Sequence, residues 1–192
     1  MPRASAADAA RTAWDILVSA TDLFAARGFA AVSLDDVAGA AGVTRGAVYH
    51  HYRSKAGLFR SVAAKLQSDV ATAVVVAAEG AGTDPREQLR AGCHAFLDAI
   101  TAAPAVRVLL IDAPAVFGWE QWRRLDAEHS VVHLREALAG VGVPDDLLDA
   151  TTAQLSGAMN EAALWIAQQP RGPEARDAAH RVLDRVLAAA IA

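Results

Sequence analysis

The chain has 192 residues, of which 54% are hydrophobic, enough to bury a sizeable core in one or two domains. One cysteine, Cys93, excludes an intrachain disulfide and points to a reducing cytoplasm, while the lack of an apolar signal core and of any apolar run near ~18 residues argues against a membrane partner. The net charge of −4 is unevenly divided: residues 1–65 carry eight Arg or Lys against five Asp, and the rest carry ten cations against seventeen acids, so only the first part is suited to meet nucleic acid.

Ile16, Ala20, Leu23 and Phe24 recur as the stripe of an amphipathic helix that ends at Gly28. Ser33 followed by Asp36 has the spacing of a capping box, with Val32 and Val37 as its hydrophobic staple, so a second helix starts near Leu34. Gly42 stops it where a left-handed conformation is cheap. Thr44 caps a third helix, stapled by Val43 and Val48, and Ser54 caps a fourth just beyond Tyr52. Two short helices joined by a glycine-containing turn form a helix-turn-helix, whose second helix enters the major groove of DNA.

The charges agree. A helix start carries partial positive charge and favours Asp or Glu, yet Arg45 follows Thr44 and Lys55 follows Ser54. Each placement costs a few tenths of a kcal/mol, roughly, unless an anion such as a DNA phosphate sits nearby. Either cation alone is compatible with ordinary solvation; two on consecutive capped helix starts, with Tyr49, His50 and Tyr52 between them, are not.

This segment resembles the DNA-binding motif of the tetracycline-repressor (TetR) family of bacterial regulators. The residues that carry the resemblance are Ala20, Leu23-Phe24, Gly28-Phe29, Ser33, Val37-Ala38, Ala41-Gly42-Val43, Gly46, Val48-Tyr49, His51-Tyr52, Ser54-Lys55 and Leu58-Phe59. Carried over by position, Arg45, Ala47, Tyr49 and His50 face DNA and Lys55 holds a phosphate, with Ser33, Thr44, Gly46 and His51 completing the expected DNA-binding set. Tyr52 stands where many relatives have Phe, and its hydroxyl needs a partner or an exit to solvent.

Helical punctuation continues. From Lys55 no breaker intervenes until Gly80; Asp84-Pro85 opens a helix that reaches Ala103; a short helix to about Asp112 is closed by Pro114. Another runs from near Gly118 to Ala139, Pro144 opens the next to about Gln169, and Pro173 opens the last. The expected fold is all-α with about nine helices. Residues 1–54 form a three-helix helix-turn-helix domain and 55–192 a helical regulatory and dimerisation domain, joined by the long helix from about Lys55 to Glu79.

In the penultimate helix Leu155, Ala158, Met159, Ala162, Trp165 and Ile166 form one broad apolar stripe, and Val182, Val186, Leu187 and Ile191 do the same in the last. Such stripes suit core packing or a two-fold helix bundle. The resemblance implies a homodimer through the last two helices, so Leu155, Ala158, Met159, Ala162, Ile166, Val182 and Val186 are the expected interface. One short reading helix per subunit also favours a dimer on a palindromic operator.

The middle helices hold residues suited to a small-molecule effector: Phe96, Phe117, Trp119, Trp122 and Trp165 as apolar lining, with His94, Arg107, Asp112, His133 and Asn160 as polar fixing points. The run from Asp112 to Trp122 resembles a recurrent segment of the regulatory domains of relatives, although a tryptophan on an amphipathic helix is ordinarily core. No cofactor or metal is implied.

An enzyme is the first rival reading. Cys93 and His94 are adjacent and diverge by about 100° on a helix, His129 and His133 lack the metalloprotease order, and no phosphate loop or nucleophile elbow occurs. A small-molecule-binding protein without DNA binding is a second rival, and an activator or ligand-independent DNA binder is a third. The expected function is a homodimeric transcriptional regulator, a repressor released from its operator by a small apolar or amphipathic effector.

Overall fold

The computed structural model describes residues 6–126 and 131–191, and for Trp119 and Asp126 the backbone alone. Ten α-helices and one π-helical segment follow one another, with no strand among the described residues. In order they are α1 (Ala6–Ala31), α2 (Leu34–Ala40), α3 (Arg45–Tyr52), α4 (Lys55–Gly80), α5 (Pro85–Thr101), the π segment (Val106–Asp112), α6 (Ala113–Phe117), α7 (Trp119–Asp126), α8 (Val132–Gly140), α9 (Asp145–Ala167) and α10 (Gly172–Ala190). The all-α expectation of about nine helices holds; among the described residues α6 is an addition, and α7 and α8 both fall within the stretch expected to be helical from Gly118 to Ala139.

The buried residues form one cluster that runs the length of the molecule. It passes from Ile16 and Phe24 of α1 through Phe59 of α4, Leu97 of α5 and Leu109 of the π segment to Leu155 of α9 and Leu183 of α10. By length and composition α4 is apolar enough to cross a membrane, although Lys65 and Asp69 interrupt its apolar run; its Leu58, Phe59, Val62, Leu66 and Val70 are buried in this core. α4 packs chiefly on α5, and α9 and α10 close the other side of α5.

Two local departures have clear causes. Gly28 takes φ 77° and ψ 162°, which breaks α1 and turns Phe29 back toward the core. Pro114 follows the end of the π segment at Asp112 but also opens a helix: it occupies the first turn of α6, and Gly118 at φ 80° ends that helix.

The π segment supplies the rest of the explanation. Its last turn is five residues wide, with Ala113 N–H donating to the Val108 carbonyl. The next bond in that register would join residue 114 to Leu109, but proline has no N–H to give. The Leu109 carbonyl accepts the indole N–H of Trp122 instead, at 2.7 Å, inside the core.

Candidate nucleic-acid interface and cleft

The helix-turn-helix is built by its caps. Ser33 Oγ accepts from Asp36 N (3.1 Å) and Ser33 N donates to Asp36 Oδ2 (2.8 Å), a complete capping box at the start of α2. The Ser33 hydroxyl and backbone N–H, with Arg27 behind them, hold the Asp36 carboxyl down at about 2. Thr44 Oγ1 accepts from Ala47 N (3.2 Å) and Ser54 Oγ from Gly57 N (3.0 Å), so α3 and α4 begin as the sequence predicts. Between α2 and α3 the chain turns at Gly42, φ 66°.

Val48 is fully buried and fixes α3 against the head, so the opposite side faces outward: Thr44, Arg45, Gly46, Tyr49 and His50 are exposed, and Ala47 and His51 half-buried. Ser33 is exposed at the start of α2. Tyr52 resolves its own difficulty by donating its hydroxyl to the Ala13 carbonyl at 2.7 Å, and burial raises its pKa.

The two helix-start cations are engaged within the chain. Arg45 Nη1 lies 2.9 Å from Asp35 Oδ2, and both side chains are more than 60% exposed, a pair worth about 0–1 kcal/mol and readily exchanged. Lys55 is drawn back: Nζ donates to the Ala30 carbonyl at 3.3 Å and lies 4.4 Å from the centre of the Phe29 ring. The carbonyl end of α1 supplies the partial negative charge that Lys55 meets here. Arg53, which sequence reasoning passed over, ends α3 at φ 66°, a left-handed position where glycine is usual. The only sequence signal was the absence of that glycine.

Behind the head lies its junction with the body. Once Gly28 breaks α1, the Phe29 N–H loses its helical acceptor and donates to Asp112 Oδ2 at 2.9 Å. Arg107 Nε sits 3.7 Å from the same carboxylate, and its guanidinium lies where a Cβ on Gly28 would come within 2.4 Å. Phe117 meets Phe59 at 5.4 Å between ring centres, with the Arg60 guanidinium over its other side. Arg107 and Asp112, expected as polar fixing points, and Phe117, expected as apolar lining, are therefore brought together at this junction.

A cleft of about 400 Å³ opens between α4, α5, α8 and α9. Val74, Leu89, Phe96, Leu134 and Met159 give it apolar walls, and of the expected ligand residues only Phe96 and His133 line it. Trp122 is buried and spent on the Leu109 carbonyl, Asn160 is buried in α9 away from the lining, and Trp165 lies on the outer side of α9. The side chain of Trp119 is outside the described residues. Cys93 lines the cleft, and burial pushes its thiol up to about 12, so it is present as a neutral small apolar group.

Residues 16–62 match the family of bacterial regulatory proteins called the tetR family, and residues 86–190 match the tetracyclin repressor-like C-terminal domain. The chain belongs to the TetR family. Among TetR-family relatives, it is 32% identical over 110 residues to the probable acrEF/envCD operon repressor of Escherichia coli, covering 57% of this chain and 50% of that protein. It is 34% identical over 85 residues to the transcriptional activator FasR of Mycolicibacterium smegmatis, covering 44% of this chain and 38% of that one. The chain thus spans half or less of the length of these curated relatives. A TetR-family regulator from Pectobacterium atrosepticum superposes with a TM-score of 0.76 at 27% identity, covering 97% of each chain. One from Streptomyces coelicolor gives 0.77 at 22% identity, covering 95% of this chain and 97% of that one, a likeness of fold.

These TetR relatives are regulators and not enzymes. Cys93 faces the cleft while His94 Nε2 lies 2.7 Å from Asp184 Oδ1, so the adjacent pair diverges as expected. Of the two histidines weighed for a metal, His129 lies outside the described residues. On the outer face of this TetR chain, Ala158, Ala162 and Trp165 of α9 and Val182 and Val186 of α10 line an apolar groove, with Trp165 43% and Val182 58% exposed. Leu155, Met159 and Ile166 are buried within the chain, although Met159 also borders this groove: the α9 stripe is broad enough to have an inner and an outer edge.

Proposed function

We propose that this TetR-family chain is a homodimeric DNA-binding transcriptional regulator, a repressor released from a palindromic operator by a small apolar or amphipathic effector. The reading is carried by one observation: a doubly capped helix-turn-helix whose second helix is anchored by Val48 and turns Arg45, Tyr49 and His50 to solvent. Thr44 and Gly46 at the start of α3 offer backbone N–H groups to phosphate, Ala47 lies beside them, Ser33 and His51 flank them, and Arg53 and Lys55 add charge. Lys55 takes this part by leaving the Ala30 carbonyl.

The dimer forms through the outer face of α9 and α10, where Ala158 and Ala162 permit close approach beside Trp165, Val182 and Val186. Its two reading helices then address half-sites ~34 Å apart or a multiple of that. The effector occupies the cleft, whose α4 wall at Val74 and Ala78 belongs to the same helix that begins beside α3. Residues 1–54 act as the reader and 55–192 as the regulatory and dimerising body, in the cytoplasm.

The test is a gel shift with DNA flanking the chain's own gene. Wild type binds; Arg45→Ala and Tyr49→Ala lose binding with unchanged circular dichroism, each base contact being worth about 1–3 kcal/mol. Lys55→Ala weakens binding to all sequences and lowers the salt slope by about one. Normal binding by Tyr49→Ala would overturn the assignment of α3. An activator is the second reading, favoured by the name of the FasR relative, and a reporter assay separates the two by the sign of its response.

A further inference from the structure

The charges around the cleft have one sign. Glu79 of α4 and Glu136 of α8 line it, and among the described residues no Arg or Lys does. The cations carried by its four walls are turned to other partners or lie elsewhere along their helices. Arg86 donates to the Ile191 carbonyl (3.2 Å), Arg90 pairs with Glu87 (2.9 Å), and Arg135 pairs with Asp149 (2.8 Å). On α4, Lys55, Arg60 and Lys65 all precede the part that reaches the cleft, and α9 has no Arg or Lys.

The backbone adds to this. α4 ends at Gly80, one residue beyond Glu79, and α8 ends at Gly140, which itself lines the cleft, so two helix C-termini bring their partial negative charge to it. Two helix starts also border it, that of α8, whose Val131 and His133 line the cleft, and that of α5 at Pro85. The positive end of α5 is offset by Asp84, whose Oδ1 accepts from Arg86 N at 2.9 Å. Glu79 and Glu136 are exposed, whereas Leu89, Cys93, Phe96, Ser156 and Met159 are buried: the acids stand at the mouth and the floor is apolar.

We infer that the cleft takes an amphiphilic monocation, with an apolar body on the floor beside Phe96 and Met159 and an amine or quaternary ammonium head at the mouth beside Glu79 and Glu136. This rests on the proposal that the cleft is the effector site. An anionic amphiphile of the same shape would bring its charge to two carboxylates and two helix carbonyl ends, with no Arg or Lys among the described lining residues to receive it. His133, whose Nδ1 lies 3.8 Å from Glu136 Oε2, lines the cleft beside that carboxylate. A volume of about 400 Å³ is within the range of sites for drug-sized molecules.

The experiment is titration calorimetry of the full chain with decyltrimethylammonium, decanol and decyl sulfate, all below micelle-forming concentrations, repeated on Glu79→Gln/Glu136→Gln. The expected result is at least about tenfold tighter binding of the ammonium than of the sulfate, with the gap falling below about threefold in the double variant. An Ala137→Trp variant, which fills the cleft, abolishes binding of all three. Equal affinities, tighter binding of decyl sulfate, or an ammonium preference that survives in the double variant would each overturn the inference while leaving the cleft as effector site. Binding by none of the three, or undiminished binding to Ala137→Trp, would remove the cleft from the effector role itself. The gel shift decides DNA binding independently of either outcome.

Discussion

Trp122→Phe isolates the bond that compensates for Pro114. Phenylalanine keeps most of the buried ring but removes the indole N–H, leaving the Leu109 carbonyl in the core without its 2.7 Å donor. An unsatisfied buried acceptor costs about 1–3 kcal/mol, and the space left by the smaller ring about 1 kcal/mol more. The sum, about 3 kcal/mol, lowers Tm by roughly 6–12 °C for a domain of this size. Pro114→Ala supplies the N–H that the five-residue register lacks at Leu109. In the wild type it has little to bond, since Trp122 already occupies the acceptor. In Trp122→Phe it can take over, so the double variant should recover about 1–2 kcal/mol relative to the single one. Urea unfolding of the four proteins closes a double-mutant cycle. Effects additive within about 0.5 kcal/mol would refute the idea that proline and tryptophan share one carbonyl.

Three other outcomes are expected. Asp112→Ala strands the Phe29 N–H and releases Arg107 from its carboxylate, lowering stability by about 1–3 kcal/mol in urea unfolding; in gel shifts the same variant should also respond less to effector than wild type. His180, stacked on His94 at 4.2 Å, has its pKa lowered, first by burial and then by the neighbouring His94 charge. Its unfolded form therefore binds the proton more readily, so its contribution is complete above 6.5 and is lost as pH falls through the lowered value. Tm should drop on acidification from 6.5 toward 5, less steeply in His180→Asn, and an identical slope in the two proteins would refute it. Ala158→Arg and Val182→Arg place a charge on the outer face of α9 and α10; sedimentation should show folded monomers where wild type is a dimer, and an unchanged wild-type-like dimer would exclude that face.

What could be read in the sequence was local. Ser33, Thr44 and Ser54 announce their helices because a cap acts over three residues, and Gly28 and Gly42 mark turns by their own backbone preference. The burial of Val48 agrees with its place in the staple, and the exposure of Tyr49 with the position that the family resemblance implied for it. What could not be read was long-range. Asp112 reaches Phe29 across 83 residues, and nothing in its surroundings distinguishes a joint from a ligand site. Pro114 looked like a stop because a π register cannot be seen in the spacing of side chains. In α9 the stripe gave the apolar residues but not which edge the chain itself would cover, so Met159 and Trp165 read alike although only one is buried. The three exposed or half-buried residues Ala158, Ala162 and Trp165 lie one ridge away from Leu155, Met159 and Ile166.

Phe59 touches both Phe24 and Phe29 at 5.0 Å between ring centres, yet it belongs to α4. The head has therefore no hub of its own, and a fragment ending at residue 54 would leave two aromatic rings facing water. The same ring makes the head a rigid attachment to the end of a rod. At 26 residues α4 is about 39 Å long, so a tilt of roughly 5° about its cleft end swings the other end by about 3 Å. With its core clamped to that rod, the head has little internal play to absorb the swing, and the whole reading surface travels with it.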